Sequence, residues 1–104
     1  MKAIVLVLSL LPPAATPPKH TILFFTATWC PPCHQMKAET LSNVSLPGHE
    51  LRIIDVDRDS RLGASYGISS IPAYVVLNGK GQVYRRGEGF RDVPQFVRFL
   101  NEGK

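Results

Sequence analysis

The chain has 104 residues, of which 44% are hydrophobic and 19% are charged, and its formal net charge is +4. This length predicts one domain, and the hydrophobic content is too high for a disordered chain. Lysine and arginine are scattered and Arg85-Arg86 is their only adjacent pair, a distribution that argues against nucleic-acid binding.

The first twenty residues allow two interpretations. Residues 2–11 read KAIVLVLSLL, an apolar run that is too short for a transmembrane helix. Its β-branched residues favour a buried strand, with the proline-rich stretch 12–18 as a stiff connector. Lys2 before the run and Ala14-Ala15 after it also fit an export signal, although nearby prolines spoil the cleavage site. We favour the strand, and with it a cytoplasmic location, over export.

From residue 21 onward, apolar runs and turn residues predict alternating strands and helices. Strands are expected over 21–28, 51–57, 73–77 and 82–86, and helices over 34–46, after Asp59 or Ser60, and after Asp92. The second strand, with Ile53, Ile54 and Val56, is expected to be buried. The helical crossovers predict parallel strands, and the NGKG turn at 78–81 predicts an antiparallel hairpin at one edge of the sheet.

The last helix has the clearest local signals. Asp92 and Gln95 have the spacing of a capping box at its start. Its apolar residues recur at i, i+3, i+4 and i+7, a spacing typical of a helix that packs one face on a core. The members of this stripe are Val93, Phe96, Val97 and Leu100.

The two cysteines lie in the segment WCPPCH, residues 29–34, and two chemistries use such a pattern. A Cys-x-x-Cys pair can cycle between dithiol and disulfide, and Cys-x-x-Cys-His is also the attachment pattern of c-type haem. A structural role is disfavoured, because a bond between such close cysteines closes too small a loop to add much stability.

The setting of Cys30 favours sulfur chemistry. Cys30 falls where a strand ends and a helix begins, so the helix dipole would favour its thiolate and lower its pKa. As the N-cap it can accept a hydrogen bond from the backbone N–H of Cys33. Pro31 and Pro32 lack backbone N–H groups, but the N–H groups of the first helical turn have no partner within the helix, so their absence costs little. The two prolines also stiffen the loop. A Cys30 thiolate can attack a substrate disulfide, after which Cys33 can resolve the mixed disulfide.

Other functions explain less of the sequence. Haem attachment would fix His34 as one axial ligand and would need a second, such as His20 or His49, but it leaves the strand–cysteine–helix setting unexplained. A zinc site would need four ligands, and the cysteines with one histidine fall short. We therefore predict no metal and no cofactor beyond the redox-active Cys30–Cys33 disulfide. A non-catalytic binding module is a further alternative, although such modules commonly lose a cysteine and this chain keeps both.

Three landmarks together resemble the thioredoxin family, over residues 21–100. They are the segment FFTATWCPPC, the segment YGISSIPAYVVLNGKGQV, and Gly89 placed after Val83. The resemblance implies an α/β thioredoxin fold, with a central mixed β-sheet of four to five strands flanked by helices. Residues 1–104 would form one such domain, with 2–11 as the family's extra first strand.

The resemblance also implies the roles of individual residues. Cys30 would be the nucleophile and Cys33 the resolving cysteine, with Trp29 flanking them. Pro72 would follow a cis peptide bond and face the cysteines, leaving the backbone of Ile71 to pair with an extended substrate segment. A further substrate-groove residue would be Gly89.

The resemblance implies that the protein is a monomer that reduces protein disulfides. An upstream thiol reductase system would then reduce its Cys30–Cys33 disulfide back to the dithiol. The WCPPC form is also similar to tryparedoxins, nucleoredoxins and some exported bacterial thioredoxin-like proteins. Exported disulfide chemistry in the envelope, or cytochrome maturation, is therefore the alternative role.

The sequence departs from thioredoxins at two positions where they carry a buried aspartate and its lysine partner. Counting from the landmarks, these positions hold Phe24 and Ile53. The aspartate and the lysine are both replaced by apolar residues, which is expected because a buried charge without its partner would be costly. The loss removes the usual proton carrier for Cys33, so we expect slower resolution or proton transfer through water. His34 is a candidate replacement that could also tune the pKa of Cys30, although we favour a solvent-facing helix position as the explanation of this residue.

Overall fold

The structure is a computed structural model that describes residues 19–102, and the strand or export signal predicted at 2–11 lies outside them. The described strands form one mixed sheet in the order β2-β1-β3-β4. β1 and β2 are parallel, whereas β3 runs antiparallel to both β1 and β4. Their bounds are β1 (His20–Thr26), β2 (His49–Asp55), β3 (Ala73–Leu77) and β4 (Val83–Glu88). The predicted α/β architecture with a mixed sheet is confirmed.

Within residues 19–102, three α-helices flank this sheet. They are α1 (Pro31–Met36), α2 (Ser60–Ser65) and α3 (Val93–Asn101). None of the helices in residues 19–102 is long and apolar enough to cross a membrane.

β1 is the central strand because it is apolar on both faces, and this prediction is confirmed. Side chains alternate across a strand, so Ile22 and Phe24 share one face and Leu23 and Phe25 share the other. The Phe24 face packs against Met36 of α1 and against α3. The opposite face packs against residues of α2 and its flanking loops.

α1 begins at Pro31, as the predicted N-cap role of Cys30 implies, because a proline is compatible with the first helical position. It continues as a π-helical segment, Lys37–Leu41, instead of extending to residue 46. The backbone N–H of Ser42 then bonds the carbonyl oxygen of Lys37, five residues back. The Asn43 side chain donates to the carbonyl oxygen of Glu39 at 2.9 Å, and such side-chain bonds end the helix.

The prediction that β2 is buried is wrong for Ile53, which is 48% exposed. Within residues 19–102, β2 pairs with β1 alone and so forms the edge of the described sheet. Ile54, on the opposite face, still packs against the α2 side of the core. The apolar composition of the strand therefore does not distinguish an edge from a central position.

The two capping predictions are confirmed. Asp59 caps α2 by accepting a hydrogen bond from the backbone N–H of Leu62 at 3.3 Å. Asp92 and Gln95 form the full capping box at the start of α3. One member of the predicted α3 stripe is misplaced, because Val97 is exposed.

The core face of α3 consists instead of Phe96, Phe99 and Leu100. Phe99 packs edge-on against Tyr74 of β3, with ring centroids 5.0 Å apart. Gly87 of β4 leaves room for this pair, because a Cβ at that position would lie 2.7 Å from the Tyr74 ring.

Candidate active site

Cys30 and Cys33 form a disulfide where β1 gives way to α1, with their Cα atoms 5.2 Å apart. Cys30 is the extended N-cap of α1, and its Sγ accepts a hydrogen bond from the backbone N–H of Cys33 at 3.2 Å. Pro31 and Pro32 occupy the first helical positions, where their missing N–H groups leave no helical bond unmade. The predicted start of α1, with Cys30 as the N-cap and two prolines in the first turn, is therefore present.

Both cysteines are buried, and they differ slightly in exposure. Cys30 is 4% exposed, whereas Cys33 is completely buried. Cys30 and Cys33 share one buried cluster with Ala27, and Val56 and Ile71 pack against that cluster. The difference in exposure is small, and the assignment of Cys30 as the attacking group stays a prediction.

Trp29 lies at the surface beside the pair and is 64% exposed. Its indole Nε1 donates a hydrogen bond to Oδ2 of Asp57 at 2.8 Å, which holds the ring in one orientation. Asp57 follows β2, and its backbone N–H is held by Oδ1 of Asp55 at 2.8 Å. Asp57 was not predicted from the sequence, although the parallel pairing of β1 and β2 brings the ends of both strands to the same edge of the sheet.

The cis peptide bond Ile71–Pro72 precedes β3, next to the cysteines. The carbonyl oxygen of Pro72 accepts a hydrogen bond from the backbone N–H of Gly89 at 2.8 Å. Gly89 has a φ of +86°, a conformation that favours glycine. The structure thus brings the residues proposed for the substrate groove to the end of the sheet that carries Cys30.

A cavity of about 490 Å³ opens between Trp29 and α2. Its apolar wall includes Val56, Ile68 and Ile71, and Gly63 of α2 contributes no side chain to it. Val56 and Ile71 also pack against the cluster that contains Ala27 and the two cysteines. An apolar side chain of a bound segment therefore has a place to lie within reach of Cys30.

Tyr74 anchors the loop that carries Gly89, a feature that the sequence analysis did not identify. Its buried hydroxyl donates to the carbonyl oxygens of Glu88 and Gly89, at 3.3 and 3.1 Å. It accepts a hydrogen bond from Nε of Arg91, and the buried Thr40 hydroxyl donates to the carbonyl oxygen of Arg91. Burial raises the pKa of Tyr74, so the hydroxyl keeps the proton that it donates.

Replacing Tyr74 with phenylalanine is expected to destabilise the protein by about 1–3 kcal/mol, because the substitution removes the part-buried hydrogen bonds of its hydroxyl to Glu88, Gly89 and Arg91. Urea denaturation measures the change. Tyr84→Phe is a matched control at an exposed site, where we expect a change within about 0.5 kcal/mol. Equal effects of the two substitutions would contradict the anchoring role of Tyr74.

His34 is exposed, and its Nε2 donates a hydrogen bond to the carbonyl oxygen of Thr28 at 2.8 Å. The bond ties the first turn of α1 to the loop that precedes Cys30. The role of His34 in tuning Cys30 stays a prediction. Within residues 19–102, no group of three or more His, Cys, Asp and Glu side chains could hold a metal ion.

Phe24 and Ile53 are register partners on the parallel strands β1 and β2, so the two departures from the thioredoxin pattern are neighbours in space. Phe24 is completely buried and packs in the same cluster as Met36 and Tyr74. The position of the usual buried acid is thus filled by a hydrocarbon ring.

Comparison with known proteins places this site in a family. A model of the thioredoxin-like domain matches residues 14–104. The chain belongs to the thioredoxin-like family. It is 34% identical over 86 residues to the thioredoxin-like protein slr0233 of Synechocystis sp., covering 80% of each chain. It is 35% identical over 81 residues to thioredoxin of Bacillus subtilis, covering 75% of this chain and 76% of that one.

Solved structures agree with the family assignment. The X-ray structure of Fasciola hepatica thioredoxin matches with a TM-score of 0.70 at 25% identity, covering 84% of this chain and 83% of that chain. The protein is therefore a thioredoxin-like redox protein whose Cys-x-x-Cys pair, Cys30 and Cys33, lies at disulfide distance.

Proposed function

We propose that this thioredoxin-like protein reduces disulfides in other proteins through the Cys30–Cys33 couple. The observation that carries the proposal is the position of Cys30. Its Sγ accepts the backbone N–H of Cys33 at the start of α1, where a thiolate is favoured over a thiol. Val56 and Ile71, which pack against the cluster that contains Cys30, also line the cavity between Trp29 and α2, where a substrate segment would be held.

Reduction would proceed in two exchange steps. In the first, the Cys30 thiolate attacks one sulfur of the substrate disulfide, and the other substrate sulfur leaves as a thiolate and takes up a proton. In the second, the Cys33 thiolate attacks Sγ of Cys30, and the remaining substrate sulfur leaves and is protonated. Two electrons pass to the substrate, and the Cys30–Cys33 disulfide is formed.

The groove would bind the substrate in extended form. The backbone of Ile71 would pair with the segment that carries the substrate disulfide, as in strand addition at a sheet edge. An apolar side chain of that segment would enter the cavity between Trp29 and α2. Gly89, held by the Pro72 carbonyl group, would let the substrate backbone approach closely.

The partners follow from this chemistry. Substrates are proteins with accessible disulfides, and an upstream thiol reductase system would return the Cys30–Cys33 disulfide to the dithiol. We propose that the protein acts as a monomer in the cytoplasm, where that supply of electrons is available. The alternative is an exported protein in disulfide chemistry of the envelope or in cytochrome maturation.

An insulin-reduction assay with dithiothreitol as the electron donor tests the proposed function. We expect the wild-type protein to accelerate the appearance of turbidity over dithiothreitol alone. The matched control is the double variant Cys30→Ser/Cys33→Ser, which should give only the background rate. Equal rates for the two proteins would contradict the proposal and favour a non-catalytic module, and a Soret band in the purified protein would favour haem.

A further inference from the structure

Thr40 is a polar residue on the buried face of the helix that carries the cysteines. It lies in the π-helical segment Lys37–Leu41 that continues α1, and like Cys33 and Met36 it is completely buried. Its hydroxyl donates a hydrogen bond to the carbonyl oxygen of Arg91, 51 residues further along the chain. An apolar side chain at this position would need no partner at all, so the polar one points to a role for its contact with Arg91.

Arg91 continues this connection towards the substrate groove. Its Nε donates a hydrogen bond to the Tyr74 hydroxyl, and its guanidinium group lies over the Phe99 ring, 4.9 Å from the ring centroid. The Tyr74 hydroxyl in turn donates to the carbonyl oxygen of Gly89 at 3.1 Å. A series of hydrogen bonds that passes through Arg91 therefore joins the helix of the cysteines to Gly89.

The loop of residues 89–92, which we call the Gly89 loop, lies between β4 and α3 and belongs to neither. Gly89 is exposed, and a glycine loses more conformational freedom on folding than any other residue. The loop therefore needs contacts that hold it in place. Its backbone is bonded to the carbonyl oxygen of Pro72 and to the hydroxyls of Tyr74 and Thr40. Of these three, Thr40 is the contact that comes from the helix of the cysteines.

We propose that Thr40 is a positioning residue for substrate binding, which fixes the Gly89 loop relative to the helix that begins after Cys30. The substrate would lie between these two parts of the site, so their relative position decides whether its disulfide reaches Cys30. A groove that already has its binding shape loses less entropy when the substrate binds. Because Thr40 is completely buried, it acts through Arg91 and Tyr74. The inference rests on the proposed function.

The test compares two disulfides that differ in how much of the groove they need. Insulin has to lie along the groove, whereas Ellman's reagent, a small aromatic disulfide, needs access to Cys30 alone. Each reduced protein is mixed with an excess of either disulfide, and the second-order rate constant for loss of its thiols is measured.

The variants separate the hydroxyl of Thr40 from its shape. Thr40→Val keeps the shape of the side chain but lacks the hydroxyl, and Thr40→Ser keeps the hydroxyl. Ser42→Ala is the matched control at an exposed position just after the π-helical segment. It removes a hydroxyl that donates to the carbonyl oxygen of Ala38, within the same helix and away from the Gly89 loop.

For Thr40→Val we expect the rate constant with insulin to fall about five-fold or more, because the groove is no longer held in its binding shape. The rate constant with Ellman's reagent should change by less than about two-fold. Thr40→Ser should restore most of the rate with insulin, and Ser42→Ala should react like wild type. A merely structural role would lower the melting temperature without separating the two rates.

Arg91→Lys tests the same connection at its next link, and it decides the matter if Thr40→Val fails to fold. Lysine keeps the positive charge but lacks the Nε that bonds the Tyr74 hydroxyl, so we expect the same separation of the two rates. A folded variant of either kind that reduces insulin as fast as wild type would overturn the role of Thr40, and so would an equal loss of rate with both disulfides. Failure of the wild-type protein to reduce insulin would instead overturn the proposed function.

Discussion

Replacing Cys30 with serine is expected to lower the rate of disulfide reduction by at least about a thousand-fold, the scale on which removing a nucleophile acts. The serine hydroxyl titrates far above neutral pH and does not form a disulfide. Cys33, which would be the only thiol left, is completely buried and cannot meet a large substrate directly. The insulin-reduction assay measures the loss.

Cys33→Ser is the matched control for this substitution, because it removes the other sulfur and leaves Cys30 in place. This variant should also fail to turn over, but at a later step. Its Cys30 can still attack a substrate disulfide, and the mixed disulfide should then persist because no second thiol is present to resolve it. If Cys30→Ser kept more than about a tenth of the wild-type rate, the assignment of Cys30 as the nucleophile would be wrong.

Phe24→Asp, which restores the acid that thioredoxins carry at this position, is expected to destabilise the protein by more than about 4 kcal/mol. Phe24 is completely buried in the cluster of Met36, Tyr74 and α3. The substitution removes the ring and places a carboxyl group among apolar side chains. A domain of this size is stable by about 5–15 kcal/mol, so the variant should unfold at low urea concentrations or fail to fold.

The neighbouring position, Ile53, provides the control. Ile53→Lys should change the stability by less than about 1 kcal/mol, because the side chain at this position is half exposed. In the double variant the introduced lysine can pair with the introduced aspartate across the register of β1 and β2, so we expect it to recover about 1 kcal/mol or more. Phe24→Asp with wild-type stability would show that this position tolerates a charge and that packing does not explain its apolar residue.

Much of the fold could be predicted from the sequence because local signals and tertiary packing agree. The run ILFF reads as a strand buried on both faces, and it forms the centre of the sheet. Cys30 followed by two prolines predicts a helix start, and the structure begins α1 there with Cys30 as its cap. The capping box of Asp92 and Gln95 likewise depends on residues close together in the chain.

The features that could not be predicted depend on contacts between distant segments. The exposure of Ile53 follows from the order of strands in the described sheet, which composition does not specify. The bond from Trp29 to Asp57 joins two loops that meet only because β1 and β2 are parallel. Tyr74 reads as an ordinary strand residue, and its anchoring role becomes visible only once Glu88 and Arg91 are placed beside its hydroxyl.

In the proposed mechanism Cys30 makes the covalent bond to the substrate, and trapping that bond tests the mechanism most directly. The Cys33→Ser variant is reduced, separated from reductant and incubated with a disulfide-containing protein such as insulin, and the products are digested and analysed by mass spectrometry. We predict a mixed disulfide that joins the peptide containing Cys30 to a substrate cysteine and that dithiothreitol releases. Recovery of Cys30 only as a free thiol, under conditions where the wild-type protein reduces the same substrate, would contradict the account.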